Sequence, residues 1–253
     1  MLIEQTLEKL HQLKLTGMAH ALGEQLQHPD AQSLSFEDRL GLLVDREWDA
    51  RESRGMTRRL QVARLKQAAA VEDIDFRTPR GLDKAGLLAL AEGRFIEAHQ
   101  HVIITGPTGV GKTYLACALA NRACRLKHSV RYFRLGNLLA AIALARGDGS
   151  HPSLLRRLER TQLLVLDDWG LYPVEPEGAR DLFDVLEDRS QAGALIIVSQ
   201  IPVAHWYDLF SVPTLADAIL DRLVHAAYRI EMKGESMRKQ RSGMYRLILT
   251  PCT

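Results

Sequence analysis

Residues 106–113 of this 253-residue chain read GPTGVGKT, and this stretch decides the fold. Its spacing fits the pattern G-x-x-x-x-G-K-[ST], in which backbone N–H groups and a lysine surround the phosphates of a nucleotide. Residues 101–105 before it have the apolar character of a strand, and residues 114–126 after it have the pattern of a helix. Because the motif requires this strand and this helix, the sequence predicts a site for a nucleoside triphosphate.

Each residue type in this loop has a physical role in binding phosphate. Glycines permit backbone conformations that turn successive N–H groups inward, where they form an anion site at a helix N-terminus. Lys112 suits the β and γ phosphates, and the hydroxyl of Thr113 suits the accompanying Mg²⁺ ion. The predicted nucleotide-binding residues are Gly106, Pro107, Thr108, Gly109, Val110, Gly111, Lys112, Thr113 and Tyr114.

A second motif, LLVLDD at residues 163–168, reads as a buried strand that ends in two carboxylates. In an open α/β sheet, ligands bind beyond the carboxyl ends of the strands, where Lys112 also emerges. We therefore expect Asp167 to bind Mg²⁺ with Thr113, and Asp168 to polarise the attacking water as a general base. The alternative is a pair of acidic residues that only cap a strand.

Composition is that of a globular protein, with 46% hydrophobic and 25% charged residues. No apolar run approaches the roughly 18 residues that cross a bilayer, and Glu4, Glu8 and Lys9 interrupt any N-terminal signal core. We expect a cytoplasmic protein without a membrane partner. The cysteines and histidines lack metal-ligand spacing, so Mg²⁺ is the only predicted ion.

Positive charge is concentrated between residues 51 and 66, although the net charge of the chain is only +2. Three of these side chains share one face of a helix, a geometry that can follow a phosphate backbone. The alternative is a solvated helix face whose charge is balanced by acidic residues elsewhere. The candidate DNA-binding residues are Arg51, Arg54, Arg58, Arg59, Arg64 and Lys66.

The organisation of the chain changes at about residue 75. Residues 1–75 have helical periodicity and predict a small all-helical domain. Because the basic segment lies in it, we expect this domain to serve DNA or partner binding and assembly. It would begin with a helical hairpin and continue with an apolar stripe through Leu40, Leu43, Val44 and Trp48. Residues 76–253 would form the nucleotide-hydrolysing domain.

Alternating strands and helices in this second part predict an α/β fold with a parallel sheet and crossover helices. The predicted strands are 101–105, 129–134, 162–167, 194–200 and 227–232. The predicted helices are 112–126, 136–146, 177–190 and 214–225, with a short helix through residues 87–90.

Motifs along nearly the whole chain resemble those of one family. They lie in residues 10–18, 36–51, 106–113, 163–170, 199–206 and 215–238. The most specific are ADAILDRLVH at 216–225 and KGESMR at 233–238. The sequence resembles the IstB-type ATPases that assist transposition of bacterial insertion sequences, a branch of the AAA+ P-loop proteins related to the DnaC helicase loader.

The resemblance implies three further site residues. Gln200 matches the sensor 1 position that contacts the γ phosphate or the attacking water, although family members often have Asn there. Arg222 matches the arginine finger that completes the site of a neighbouring subunit. Arg238 matches a nucleotide contact, whereas residues 241–253 depart from the family pattern and receive no function.

The resemblance also implies a function. ATP bound with Mg²⁺ between subunits would stabilise a homo-oligomer that holds and deforms duplex DNA and presents it to a transposase; hydrolysis would reset the assembly. Three alternatives remain open: a DnaC-like loader of a replicative helicase, a small-molecule P-loop kinase, and a nucleotide-gated DNA-binding module without catalysis.

Overall fold

A computed structural model describes residues 3–28, 31, 33–225 and 227–237. It contains one five-stranded parallel sheet, as the alternating pattern predicts. The strands are β1 (His101–Thr105), β2 (Val130–Arg134), β3 (Leu163–Trp169), β4 (Ala194–Ser199) and β5 (Ala227–Glu231). Their order across the sheet is β2-β3-β4-β1-β5, so β4 lies between the strand of the GPTGVGKT loop and the strand that ends in Asp167.

Helices surround the sheet and also form the N-terminal part of the chain. The first five are α1 (Ile3–Gln12), α2 (Thr16–Gln27), α3 (Phe36–Ala63), α4 (Lys84–Ala91) and α5 (Arg94–Glu97). The next five are α6 (Lys112–Arg125), α7 (Leu135–Gly147), α8 (His151–Glu159), α9 (Pro176–Arg189) and α10 (Pro213–Val224). No helix in the described ranges combines the length and the apolarity that a bilayer span requires.

Alternate residues of the buried strands supply two separate cores. On one face of the sheet Val102, Val165 and Ile196 pack with residues of α4, α5 and α6. On the other face Leu164 and Ile197 pack with residues of α7, α8, α9 and α10. Full burial of each such side chain contributes about 1.5–3 kcal/mol, so the two cores hold the strand ends in register.

The chain divides into two compact units, Met1–Arg58 and Arg59–Thr253. The sequence placed the division at about residue 75. Residues 59–75 belong to the second unit because Ala63, Val71 and Ile74 are buried in its core. The functions assigned to residues 1–75 and 76–253 stay predictions.

In the first unit, Glu47 of α3 caps the beginning of α2. Its Oε2 accepts hydrogen bonds from the N–H groups of Gly17 at 2.7 Å and Met18 at 3.2 Å. Its Oε1 accepts from Arg51 at 2.7 Å and Arg54 at 3.1 Å. The hydrogen bond from Arg51 holds the pKa of this buried carboxyl below its usual range, although burial acts in the opposite direction. The carboxylate therefore satisfies orphan N–H groups that α2 cannot bond itself.

The expected apolar stripe of α3 is not buried. Leu40, Val44 and Trp48 are exposed, with 64% of Trp48 accessible to solvent. The face of α3 that approaches α2 contains Glu47 and Ala50, which lie against Gly17. Leu43 lies four residues before Glu47 on this face and is half-buried, whereas Leu40, Val44 and Trp48, which follow one another at intervals of four, share an exposed face.

In the second unit, the buried guanidinium of Arg189 joins three segments at one end of the sheet. It donates to the carbonyl oxygens of Leu158, Thr161 (2.7 Å) and Ala194 (3.0 Å). Burial lowers its pKa to about 10, so the side chain still carries its charge at neutral pH. These bonds tie the end of α8 and the start of β4 to α9.

We expect Arg189→Met to lower the free energy of unfolding by about 3 kcal/mol, because three buried carbonyl groups would lose their donor. Urea unfolding of the full chain measures the change. Arg180→Met, at an exposed position of the same helix, is the control and should change it by less than about 0.5 kcal/mol. Equal stability of the two variants would contradict the role of Arg189.

Candidate nucleotide-binding site

A cavity of about 550 Å³ lies beyond the carboxyl ends of β1, β3 and β4, where an open α/β sheet places its ligands. The GPTGVGKT loop and both predicted carboxylates line it. Loop residues Thr108, Lys112 and Thr113 face Asp167 and Asp168 across it. The fold therefore brings together the residues of the two sequence motifs, which are more than 50 positions apart.

The phosphate-binding loop has left-handed φ angles, which favour glycine, at three of its positions, one of which is Gly111 with a φ of 102°. Gly106 and Gly109 have φ angles of 142° and 88°. A Cβ atom at Gly106 would collide with the carbonyl oxygen of Met232, and one at Gly109 would collide with Ser236. The chain after β5 thus passes directly over the loop, and the N–H of Met237 donates to the carbonyl of Gly109 at 3.0 Å.

Lys112 is buried at the start of α6, and its ammonium points into its own loop. It donates to the carbonyl oxygens of Gly106 at 2.7 Å and Pro107 at 2.8 Å. Burial lowers the pKa of Lys112, and the charges of Asp167 and Asp168 partly oppose this effect. The ammonium is therefore held close to the N–H groups that would surround a phosphate.

Asp167 is the most constrained side chain of the site, with 1% of its surface exposed. Its Oδ2 accepts hydrogen bonds from Thr113 Oγ1 at 2.9 Å and from the hydroxyl of Tyr132 at 2.5 Å. The ammonium of Lys66 lies 3.5 Å from the same oxygen. Its Oδ1 accepts from the N–H of Asp168 at 2.8 Å. Thr113, Tyr132 and Lys66 thus approach Asp167 from distant segments of the chain, and the N–H of Asp168 comes from the next residue.

The oxygens of Thr113 and Asp167 fit a Mg²⁺ ion. Both are hard ligands, and Mg²⁺ is commonly bound by one or two protein oxygens together with phosphate oxygens and water. Within the described ranges, no group of three or more His, Cys, Asp or Glu side chains could hold a metal alone. A metal at Thr113 and Asp167 would therefore depend on the phosphates of the nucleotide.

A bulge in β3 directs Asp168 into the same cavity as Asp167. Consecutive residues of a regular strand point to opposite faces. Between Leu166 and Trp169 the register with β4 shifts by one residue, and Asp168 has a φ of 59°. Trp169 is thereby returned to the core, where it packs against Trp206 at 5.1 Å. A short polar residue tolerates this left-handed conformation, which accounts for aspartate at this position.

Two further residues of the cavity approach these groups from β2 and β4. Arg134, at the end of β2, forms an ion pair with Asp168 at 3.3 Å. Gln200, just after β4, accepts a hydrogen bond from Thr108 Oγ1 at 2.6 Å. Gln200 thus lines the same cavity as the loop and the carboxylates, and its role as sensor 1 stays a prediction.

Arg222 lies outside this cavity. Its Nε donates to Glu187 at 2.6 Å, and its guanidinium lies 4.7 Å from the centre of the Phe183 ring. A residue that served the nucleotide of its own subunit would line the cavity, so a role for Arg222 requires a neighbouring subunit. Arg238, the other residue implied by the resemblance, lies outside the described residues, as do residues 241–253.

The basic segment of residues 51–66 is split between the two units, and most of its side chains have intramolecular partners. Arg51 and Arg54 pair with Glu47, and Arg59 donates to the carbonyl of Cys124 at 2.8 Å. Lys66 lies in the nucleotide cavity. Of the six predicted residues, Arg58 and Arg64 make no such contact within the described part of the chain.

Sequence reasoning missed Lys66, Tyr132 and Arg134 as residues of the site. The local sequence around each has no motif. The signal for Tyr132 and Arg134 was the pairing of β2 with β3, in which Arg134 is the register partner of Asp167. Strand order cannot be derived from a single sequence, and so the sequence did not predict that Tyr132 and Arg134 lie beside Asp167.

Comparisons with known proteins agree with the geometry. A model of the family described as IstB-like ATP binding protein matches residues 8–244. An insertion sequence ATP-binding protein of Sinorhizobium fredii is 48% identical over 239 residues, which cover 94% of this chain and 98% of the relative. The ATP-binding protein of insertion sequence IS21 from Pseudomonas aeruginosa is 33% identical, with coverage of 96% and 92%.

Among solved structures, the DnaC helicase loader is similar in fold, with a TM-score of 0.54 and 17% identity. The similarity covers 65% of this chain and 97% of the loader. At this identity it supports the fold alone, which is that of the AAA+ P-loop proteins.

We expect Asp168→Asn to lower the rate of ATP hydrolysis by about 10²–10⁴-fold, the usual contribution of a general base. Nucleotide affinity should change little, because asparagine keeps the shape of the side chain and tolerates a φ of 59°. Phosphate release and binding of a fluorescent ATP analogue measure the two effects. Asp208→Asn, at an exposed position outside the cavity, is the control. A wild-type rate of hydrolysis in Asp168→Asn would show that Asp168 is not the general base.

Proposed function

This chain belongs to the family of IstB-like ATP binding proteins, and on that premise we propose that it is a Mg²⁺-dependent ATPase that assembles on duplex DNA and delivers it to a transposase. The observation that supports this most directly is the single cavity that contains Lys112, Thr113, Asp167, Asp168 and Gln200. These residues are the parts that phosphoryl transfer to water requires: a phosphate ligand, metal ligands, a base and a polar group near the attacking water.

In this mechanism, the loop amides and Lys112 hold the triphosphate, and Thr113 and Asp167 hold its cation. Mg²⁺, when bound, would neutralise charge on the phosphate oxygens. Asp168 accepts a proton from the attacking water, and Gln200 orients that water or the γ phosphate. Arg134 must release Asp168 for this step, because a carboxylate paired with a guanidinium is a weaker base.

The position of Arg222 supports a site shared between subunits. Its guanidinium lies away from the cavity of its own chain, on the surface of α10, where a second copy can meet it. In the proposed oligomer, Arg222 of one subunit contacts the nucleotide held by Lys112 and Asp167 of the next. ATP then strengthens the interface, and hydrolysis weakens it.

An arginine surface on the second unit supports an interaction with DNA phosphates. We define it as Arg64, Arg131, Arg156, Arg157 and Arg160. The last three, with Ser153, line a shallow cavity of about 330 Å³ along α8. Burial and the neighbouring charges of Arg157 and Arg64 lower the pKa of Arg131, so these guanidinium groups act on one another. Among the described residues none of the five has an acidic partner within ion-pair distance.

Such a cluster is electrostatically unfavourable until anions approach it, and the phosphates of a nucleic acid would relieve the repulsion. The basic segment identified from the sequence is less suited to this role, since four of its six side chains already have partners. We therefore propose that phosphate contacts are centred on the arginine surface. Deformation of duplex DNA costs several kcal/mol, so binding should favour flexible sequences.

The partner that receives the DNA is inferred from the relatives. Two relatives, 48% and 33% identical to this chain, are named as ATP-binding proteins of insertion sequences. This favours a transposase over a replicative helicase, for which the only support is a similarity of fold. A kinase role is disfavoured because two adjacent carboxylates in the cavity suit activation of water.

We expect Arg222→Ala to lower DNA-dependent ATP hydrolysis by about 10³-fold or more while the protein still binds nucleotide, because the finger acts on another subunit's site. Glu187→Gln is the matched control: it breaks the same intramolecular ion pair but keeps the guanidinium, and should remain active. A mixture of Arg222→Ala and Asp168→Asn subunits should recover activity, since some interfaces combine an intact base with an intact finger.

Phosphate release measures the rates, and light scattering with ATP and duplex DNA measures the size of the assembly. Failure of the mixture to recover, with oligomers still formed, would contradict the shared site. Particles that stay monomeric with both ligands present would contradict the assembly itself.

We expect the triple variant Arg156→Ala, Arg157→Ala, Arg160→Ala to bind duplex DNA more weakly. Its log–log salt dependence should be shallower by about 0.9 for each lost phosphate contact. Fluorescence anisotropy of labelled DNA between low and moderate salt measures both. Arg180→Ala, an exposed arginine on α9, is the control and should leave the slope unchanged. A wild-type slope in the triple variant would reject the arginine surface as the DNA contact.

A further inference from the structure

The ammonium of Lys66 occupies an unexpected place for a residue of a basic surface segment. It lines the nucleotide cavity and lies 3.5 Å from Oδ2 of Asp167, the oxygen that also accepts from Thr113. About a third of the Lys66 side chain is accessible to solvent, whereas Asp167 is buried. The cation is therefore placed at the open side of a buried carboxylate.

The backbone of Lys66 is anchored, so this placement is not that of a free surface side chain. Burial raises the pKa of the Cys117 thiol on α6, and the backbone N–H groups of Gln67 and Lys66 lie close enough to it to act in the opposite direction. Leu65 packs against the core of the second unit. Cys117 follows Thr113 by one turn of α6, and residues four apart share a helix face. The face of α6 that presents Thr113 thus also anchors Lys66.

A second donor to Oδ2, the hydroxyl of Tyr132, is uncharged. It donates to this oxygen at 2.5 Å from a strand whose backbone is paired with β3. The same oxygen is thus contacted by one cationic donor that can swing away and one neutral donor fixed in β2. The two donors should respond in opposite ways when another cation approaches.

We propose that Lys66 is the internal counter-ion of Asp167 in the nucleotide-free protein, and that its ammonium gives way when the cation of the nucleotide binds at Thr113 and Asp167. Tyr132 remains, and orients the carboxylate for that cation. This inference rests on the proposed Mg²⁺-dependent function. In this proposal Lys66 is a positioning residue that competes with the metal for Asp167. It is not a ligand of the phosphates.

The physical reason is repulsion between like charges in a partly buried site. Without Lys66 or a bound cation, the buried Asp167 would have no positive charge within ion-pair distance, and the more distant Lys112 would offset only part of the cost of burying it. Lys66 removes this cost. A divalent cation within ion-pair distance of the same carboxylate repels the ammonium, and the flexible lysine chain can move into the open part of the cavity.

The test measures the Mg²⁺ concentration needed for half-maximal binding of a fluorescent, non-hydrolysable ATP analogue to the full chain. Lys66→Met should lower this concentration by about tenfold, since one charge-assisted competitor is gone. Tyr132→Phe should raise it by about tenfold or more, the usual effect of losing a group that orients a metal ligand. The opposite signs separate competition from general damage to the site.

Two control variants accompany the titration. Lys66→Arg keeps a cation beside Asp167 and should stay near the wild-type midpoint. Lys9→Met removes the same charge from an exposed position of α1 and should have no effect. Thermal unfolding in EDTA gives a readout without nucleotide: Lys66→Met should melt earlier than wild type, and Lys66→Arg should not. If Lys66→Met is poorly folded, Lys66→Gln replaces it.

Several results would overturn the inference. Equal Mg²⁺ midpoints for wild type and Lys66→Met would show that Lys66 does not compete with the cation. Weaker binding of the analogue by Lys66→Met at saturating Mg²⁺ would make Lys66 a phosphate ligand. Wild-type binding that is the same in EDTA and in Mg²⁺ would instead refute the metal site of the proposed function, and this inference with it.

Discussion

The buried carboxylate of Asp167 is the constraint on which the site depends. A charge at the carboxyl end of a central strand must be satisfied by donors, because its desolvation is otherwise too costly. Those donors come from the loop helix α6, from β2 and from the segment after α3. Each of these segments is held by its own packing in the second unit. The fold therefore positions the proposed metal ligands through the same contacts that neutralise the carboxylate.

The bulge at Asp168 places a second carboxylate in the cavity that already contains Asp167. In a regular strand Asp168 would face away from Asp167, and the cavity would contain only one acid. The left-handed backbone at Asp168 is sparsely populated for residues other than glycine, asparagine and aspartate. It persists because Trp169 is fixed in the core by Trp206 and because Ser199 Oγ donates to the Trp169 carbonyl at 2.8 Å. Strain at the functional residue is thus supported by aromatic packing on the far side of the strand.

The sequence predicted the parts of this structure that are encoded locally. The strands were expected within about two residues of their observed bounds, and for β1, β3 and β4 the reason is that buried parallel strands are short apolar runs. The helix α8 was missed, since its amphipathic pattern is only nine residues long. The two motifs of the site were readable for the same local reason. The sequence did not reveal three other residues of the site. Tyr132 and Arg134 enter it through the order of the strands, and Lys66 enters it through the path of the chain beside α6. Both depend on contacts between distant segments.

Counting charges along the sequence likewise did not predict which basic side chains have partners within the chain. The segment 51–66 has six basic residues and one acid, yet the partners of its side chains lie elsewhere in the sequence. Glu47 precedes the segment, and Asp167 follows Lys66 by 101 positions. The arginines at the end of α8 are a less conspicuous run, yet they have no acidic partner among the described residues, and burial together with the charge of Arg157 lowers the pKa of Arg131. A basic side chain is available to an external phosphate only when the fold has not already supplied its anion. Unpaired positive charge, which only the folded chain reveals, is therefore a better guide to a nucleic-acid surface than the density of arginine and lysine along the sequence.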